Sequence, residues 1–226
     1  LNGCGDGSIY ENEEDCEVWF DIVQNDYDND NLPYWVETNV YDTDPEISNL
    51  GEDIDKDDLP IEWEHRYGYN PKIWDDHHRF DSDQDSINSY EEYLTKDFGS
   101  DPNRKDVFLE IDFMETGPDG ENCSIDPEAY EILRNPFSRR NIVFHVDYGQ
   151  ENGGELLDWK EFSTSEDVRS FYDNFFIKNN EGSWKRSVWH YGIIVYETKP
   201  AGYAFRGDMF PHMGYSRGTN SFVISK

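Results

Sequence analysis

Positive charge is what this sequence has least of. Its 226 residues carry 19 Lys and Arg against 50 Asp and Glu, a formal net charge of −31. Nucleic acid and anionic membrane surfaces would repel such a chain, so neither is expected as a partner, and cations are favoured. Also missing is any apolar run long enough to cross a bilayer, so membrane insertion is not expected. No signal peptide is recognisable, and the chain opens at Leu1 rather than Met, so an upstream segment is expected to precede it. Cysteine is scarce. Cys4 and Cys16 enclose a Gly- and acid-rich loop that could hardly fold unaided, which favours a Cys4–Cys16 disulfide. Cys123 then remains as a packed lone thiol, and the bridge implies an oxidising compartment.

Aliphatic residues are thin as well. Hydrophobic residues make up 35% of the chain and aromatics 16%, so a core must lean on Trp, Tyr and Phe. Acidity with low hydrophobicity fits disorder. Against that, Trp19, Trp35, Trp63 and Trp74 are interleaved with the acidic stretches, which argues for packed structure once a cation is present.

What the chain has in excess is ordered. Three acidic stretches, DYDNDNLPYWVE (26–37), DIDKDDLPIEWE (53–64) and DSDQDSINSYEE (81–92), start 27 and then 28 residues apart. Each has Asp at its first, third and fifth positions: Asp26, Asp28 and Asp30; Asp53, Asp55 and Asp57; Asp81, Asp83 and Asp85. The seventh is aliphatic (Leu32, Leu59, Ile87) and the twelfth is Glu (Glu37, Glu64, Glu92). A repeat of this period means one supersecondary unit used several times. In a tight loop the three Asp side chains aim oxygens at one point, the carbonyl of residue seven adds another, and Glu at twelve swings back from the following helix. Such an all-oxygen cage suits Ca²⁺ at about 2.3–2.6 Å. Mg²⁺ keeps more of its own waters, and zinc prefers nitrogen and sulfur.

Repulsion decides between a cage and a solvated face. Carboxylates about 5 Å apart cost on the order of 1–3 kcal/mol per pair at an effective dielectric of 80 to 20. The pairs of one empty loop together rival the total stability of a domain, about 5–15 kcal/mol. The sequence therefore implies at least three calcium ions, with room for four to six. Position six must adopt positive φ, where an EF-hand has Gly; here it is Asn31, Asp58 or Ser86. The aliphatic residue also sits at seven rather than the EF-hand's eight.

These stretches resemble the thrombospondin type 3-like repeats of secreted bacterial and archaeal proteins, close to D-x-D-x-D-G-L-P-D-x-W-E. DIDKDDLPIEWEHRYGYNP (53–71) is the nearest match, and the resemblance covers about residues 20–106. It implies calcium-dependent folding, an extracellular protein, and carboxylates shared between ions. Asp44, Asp76 and Asp101 are candidates for sharing; each reads equally as an Asx-turn residue. CGDGSIYENEEDCE (4–17) resembles short Cys/acidic modules of such proteins; there Asp6, Glu11, Glu14 and Asp15 read either as a further site or as solvated acids.

After Pro102 the patterns change. Val107, Leu109, Ile111 and Phe113 alternate with Phe108, Glu110 and Asp112, which predicts a strand with one apolar face. Asp126-Pro127-Glu128 predicts a helix start, residues 142–148 a second strand, and Ser163 with Glu166 a capping box before a helix burying Val168, Phe171, Tyr172 and Phe175. Further strands are expected at 187–197 and 221–225. The fold class is thus α+β or α/β: an N-terminal segment (1–20), an irregular calcium-loop region (21–106), and an α/β domain (107–226) with a mostly parallel or mixed sheet of about four to five strands.

The order of these elements resembles the upper half of the metzincin-like zinc metalloproteases over about 105–226. The H-E-x-x-H motif that carries their chemistry is absent from all six His positions, and no G-x-S-x-G elbow occurs. His77 and His78 diverge in a linker. His145 with Asp147, and Glu110 with Asp112, read either as one face of neighbouring strands on which zinc could be assembled differently or as polar, solvent-facing stripes, with the stripes favoured. No catalytic residues are proposed. The first reading is an extracellular calcium-binding protein; the alternatives are a non-catalytic fragment of a calcium-stabilised zinc protease and a cell-surface adhesion or surface-layer module with an unidentified protein or cell-surface partner.

Overall fold

Alternating apolar residues from Val107 to Phe113 build the strand around which half of the molecule is organised. The computed structural model describes residues 3–4, 8–9, 25–149, 153–178, 184–205 and 221–225. The expected Cys4–Cys16 pairing and the candidates Asp6, Glu11, Glu14 and Asp15 lie outside the described residues. The chain divides into two compact units after Phe80. The sequence reading ends the repeat region at residue 106, whereas the unit that holds the third loop begins at Asp81.

In the first unit, β1 (Gly3–Cys4) and β2 (Ser8–Ile9) pair antiparallel. Two acidic loops each run into a short helix: α1 (Tyr34–Val36), continued by a π turn over Glu37–Tyr41, and α2 (Ile61–Tyr67), which ends on Gly68 in the left-handed conformation. Among the described residues of this unit the core is a set of small clusters. Leu32, Tyr41 and Ile61 pack together with Val36 and Ile54. Trp63 stacks on Tyr69 at 5.6 Å, and Tyr41 Oη lies 3.0 Å from His65 Nδ1.

In the second unit the third loop runs into α3 (Ser89–Leu94), capped by Asn88, whose side chain accepts the Glu91 N–H while Glu91 accepts the Asn88 N–H. Then come β3 (Asp106–Met114), α4 (Pro127–Ser138), β4 (Val143–Asp147), β5 (Leu156–Leu157), α5 (Ser165–Phe171) with a π turn to Phe176, α6 (Lys185–Val188), β6 (Trp189–Val195), β7 (Gly202–Phe205) and β8 (Ser221–Ser225). Asp126 caps α4 by accepting the Glu128 N–H, with Pro127 in the first turn. The cap of α5 is Thr164 with Asp167, one residue beyond the expected Ser163 and Glu166; Ser163 is buried instead.

The sheet order is β4-β3-β6-β8-β7, with β5 beside the end of β3. All neighbours run parallel except β7 on β8. This is the expected α/β arrangement with a mostly parallel sheet. β4 pairs with Asp106–Glu110 and β5 with Phe113–Met114, so both flank one edge of β3 while β6 covers the other. The order reverses at β3, which places the crevice for a ligand at the carboxyl ends of β3 and β6.

One expectation fails. Glu110 and Asp112 do not face solvent; both are fully buried, and Asp147 is nearly so. A central parallel strand is covered on both faces, so alternation does not mean exposure. His145, half-buried, stacks on Phe108 at 4.3 Å.

The core of this unit is aromatic, as the composition required: Phe108, Tyr172, Phe176, Trp189 and Tyr191 are buried around β3 and β6, with Cys123 buried among them. Phe108→Ala removes a fully buried ring, and should cost about 3–5 kcal/mol, read as a lower denaturant midpoint for the full chain.

Candidate metal centres

A loop that must bring three carboxylates together has to satisfy some of their oxygens and leave others open. The first Asp is the internal anchor. Its Oδ1 accepts the N–H three residues on (Asn29 2.7 Å, Lys56 2.7 Å, Gln84 2.8 Å). Its Oδ2 accepts the N–H five residues on (Asn31 2.9 Å, Asp58 3.0 Å, Ser86 3.0 Å). To reach it the backbone turns left-handed twice, at positions four and six. φ is 63° and 72° at Asn29 and Asn31, 70° and 77° at Lys56 and Asp58, and 64° and 82° at Gln84 and Ser86. Sequence reasoning identified position six and missed position four, which carries Lys and Gln in two loops and so gives no composition signal.

The fifth Asp ties the loop to chain further on. Its Oδ1 accepts the N–H of Leu32, Leu59 or Ile87. Its Oδ2 accepts a distant backbone N–H: Asn49 at 2.9 Å from Asp30, Asp75 at 3.2 Å from Asp57, and Asp106 at 2.7 Å from Asp85. The aliphatic side chains at seven are buried, which fixes the residues whose carbonyls are the expected ligands.

The third and twelfth positions are the open ones. Both oxygens of Asp28, both of Asp55, and Oδ2 of Asp83 are shielded from solvent and lack a hydrogen bond. So do Oε2 of Glu37, both oxygens of Glu64, and Oε1 of Glu92, all on residues that are 0%, 0% and 1% exposed. In each loop the three Asp residues offer oxygens that lie within 4.8 Å of one another. These groups can hold a metal ion. Their mutual field is visible in the acidities. Burial, then the charges of Asp30 and Asp28, pushes Glu37 up to about 7. Burial, with Asp57 and Asp55 adding to it, takes Glu64 to about 7. Burial, with Asp83, Asp85 and Asp106, takes Glu92 to about 9.

The three centres differ at their edges. In the second, His77 is fully buried with Nε2 3.0 Å from Asp57 Oδ2. It stands 3.9 Å from Glu64 Oε1, beyond hydrogen-bond reach. Asp57, Glu64 and His77 form a ligand group of their own, a nitrogen donor the sequence reading left in a linker; its neighbour His78 is exposed on Asp58. The third centre is fastened to the sheet. Asp106, the first residue of β3, binds Asp85 through its N–H and holds Arg104 Nη2 and His145 Nε2, each at 2.8 Å, on its carboxylate. Lys105 Nζ donates to the carbonyls of Asp83 and Gln84, and Ile87 enters the sheet's core.

Asp44, Asp76 and Asp101 are not brought into any three-carboxylate group among the described residues. Asp44 accepts the N–H of Glu46 and Asp101 that of Asn103, each an Asx turn, while Asp76 is exposed. No helix among the described residues is long and apolar enough to cross a membrane. Comparison with protein-family models, with curated proteins and with solved structures gives no match.

The raised acidities fix a pH dependence. A carboxyl held above its unfolded value binds protons more tightly when folded, so its contribution is favourable at low pH and is lost as pH rises through the folded value. For Glu37 and Glu64 that window runs from 4.5 to about 7, and for Glu92 from 4.5 to about 9. In chelator, the thermal midpoint followed by circular dichroism should therefore fall between about pH 5 and about pH 8.

Proposed function

We propose that the chain is an extracellular calcium-binding protein in which at least three Ca²⁺ ions hold its D-x-D-x-D…E loops together. The observation that carries this reading is a coincidence repeated three times. The buried oxygens left without partners fall on the third and twelfth positions of every loop, while the first and fifth Asp residues are engaged by backbone N–H groups. Buried polar atoms are otherwise almost always bonded, and an ion is the one partner that can serve two carboxylates without bringing hydrogens.

Oxygen donors in number favour calcium over magnesium, which takes few protein carboxylates and keeps its waters. The ions are structural rather than signalling, because α1, α2 and α3 are 3, 7 and 6 residues long and offer no pair of long helices to swing open. An acid-rich surface and sites of this kind suit a medium rich in calcium. The thrombospondin type 3-like resemblance points the same way. Asp44 and Asp101 serve as turn formers in this reading, Asp76 is a solvated acid, and three ions suffice for the loops.

A second reading is supported by one feature. The order strand (β3), helix (α4), strand (β4), helix (α5), strand (β6), strand (β8) follows the order on which the resemblance to metzincin-like zinc proteases rests. In that reading the chain is a calcium-stabilised, non-catalytic part of such an enzyme, and it requires the same three centres.

An ion present at 100–1,000 times its dissociation constant adds about 3–4 kcal/mol. Excess EDTA should therefore lower the melting temperature sharply relative to millimolar calcium. Glu92→Ala and Asp83→Ala should each remove one equivalent of calcium in calorimetry and lower the melting of the sheet-bearing unit. Equal melts with and without chelator, or an unchanged stoichiometry in both variants, defeats the proposal.

A further inference from the structure

The carboxyl half of β3 carries acidic residues that no loop accounts for. Glu110 and Asp112 are two residues apart, on one face of the strand, and both are fully buried. Glu155, just before β5, donates its N–H to Asp112 Oδ1 at 2.9 Å, which brings its own carboxylate alongside. One oxygen from each of the three lies within 4.8 Å of the others. The approach depends on two glycines. A Cβ at Gly153 would sit 2.5 Å from the Asp147 carbonyl oxygen, and one at Gly154, where φ is +71°, would sit 2.1 Å from that of Tyr148.

Counting partners shows what is missing. Lys185 Nζ binds Glu110 Oε2, and Lys178 Nζ lies 3.4 Å from Glu155 Oε1. Tyr191 Oη donates to Asp112 Oδ2 at 2.6 Å. Asp147, opposite Glu110 in the ladder, directs its oxygens to the N–H groups of Gly149 and Gly153. Glu110 Oε1 and Glu155 Oε2 are left, both shielded from solvent and both without a partner. Two oxygens of this buried cluster are thus unbonded although Lys185 and Lys178 already serve the other oxygens of the same two carboxylates, and a buried carboxylate oxygen without a partner is unfavourable. Burial also pushes Glu110 up to about 7 and Asp112 to about 6.

We propose that Glu110, Asp112 and Glu155 hold one further hard divalent cation, of calcium size, at the carboxyl end of β3. Three oxygens within 4.8 Å of one another surround a point no more than about 2.8 Å from each, so small side-chain adjustments bring all three into the calcium range of about 2.3–2.6 Å. The donor set is all oxygen, which disfavours zinc. The place is on β3, the strand at which the order reverses, with Glu155 on one side of Asp112 and Tyr191 of β6 on the other, close to where open α/β sheets take ligands. Bound there, the ion staples the segment that enters β5 onto the central strand.

The test uses the full chain, stripped with chelator and titrated with Ca²⁺ by calorimetry, with bound ions counted by native mass spectrometry. Glu155→Gln and Asp112→Asn should each lose one equivalent, or weaken one class of site by about tenfold or more, as expected for deleting a charged ligand. The equivalents of the three loops should be unchanged. Glu155 is only half-buried, so its variant decides the matter if Asp112→Asn fails to fold. Combining Glu155→Gln with Glu92→Ala should remove two equivalents, which separates this ion from that of the third loop. Wild-type number and affinity in Glu155→Gln overturns the site, whatever the loops do; the buried acids would then be held neutral by protons.

Discussion

A carboxylate taken out of water needs a positive partner, and this chain has too few of its own. That deficit governs the structure. Arg104, Lys105 and Lys185 are each engaged at an acidic or carbonyl-rich place inside the second unit, yet the oxygens at the third and twelfth loop positions and on Glu110 remain without partners. Cationic side chains are scarce throughout the sequence, with 19 basic residues against 50 acidic ones. The remaining buried carboxyls can take up protons, as the raised Glu92 shows, or cations, and a hard dication would deliver two units of charge to a point that several oxygens can share.

The third loop shows how such charge reaches the fold. Its fifth-position Asp85 holds the N–H of Asp106, the first residue of β3, and its Ile87 lies in the same core as Phe108 and Trp189. β3 in turn is flanked by β4, β5 and β6. Repulsion within the loop is thus transmitted directly to the strand that every parallel neighbour of the sheet's first half depends on. In the first unit the equivalent Oδ2 contacts go to Asn49 and Asp75, in irregular chain, so the first two loops order turns while the third orders a sheet.

Much of this was legible in the sequence, and the exceptions share a cause. The loop register, the need for positive φ at Asn31, Asp58 and Ser86, the cap at Asp126 and strand 221–225 all come from short-range chemistry: spacing, turn conformation, N-cap hydrogen bonds. What was hidden depends on residues far apart in the chain. Glu110 and Asp112 read as a solvent face because alternation reports which residues share a side, not whether a helix or loop covers it. His77 lies next to Asp57 only because residues 65–76 fold back. Thr164 displaced Ser163 as a cap because Ser163 is drawn inside, where its backbone bonds Glu197 and Thr198. Each is a tertiary decision overriding a local preference.

The two kinds of acidic centre therefore differ in how they form. In a loop, the first Asp and the final Glu are separated by eleven residues and the intervening backbone is shaped by its own carboxylates, so closing the site costs little chain entropy. The strand centre joins Asp112 to Glu155 across 43 residues and exists only after β4 and β5 have taken their places beside β3. Ions in the loops would accordingly be early partners of folding, able to shape turns before a sheet is present. An ion at Glu110 would be a late one that stabilises a completed sheet and leaves the unfinished one charged and open. Repulsion among unpaired carboxylates would then penalise the partly assembled sheet more than a finished one that held its cation.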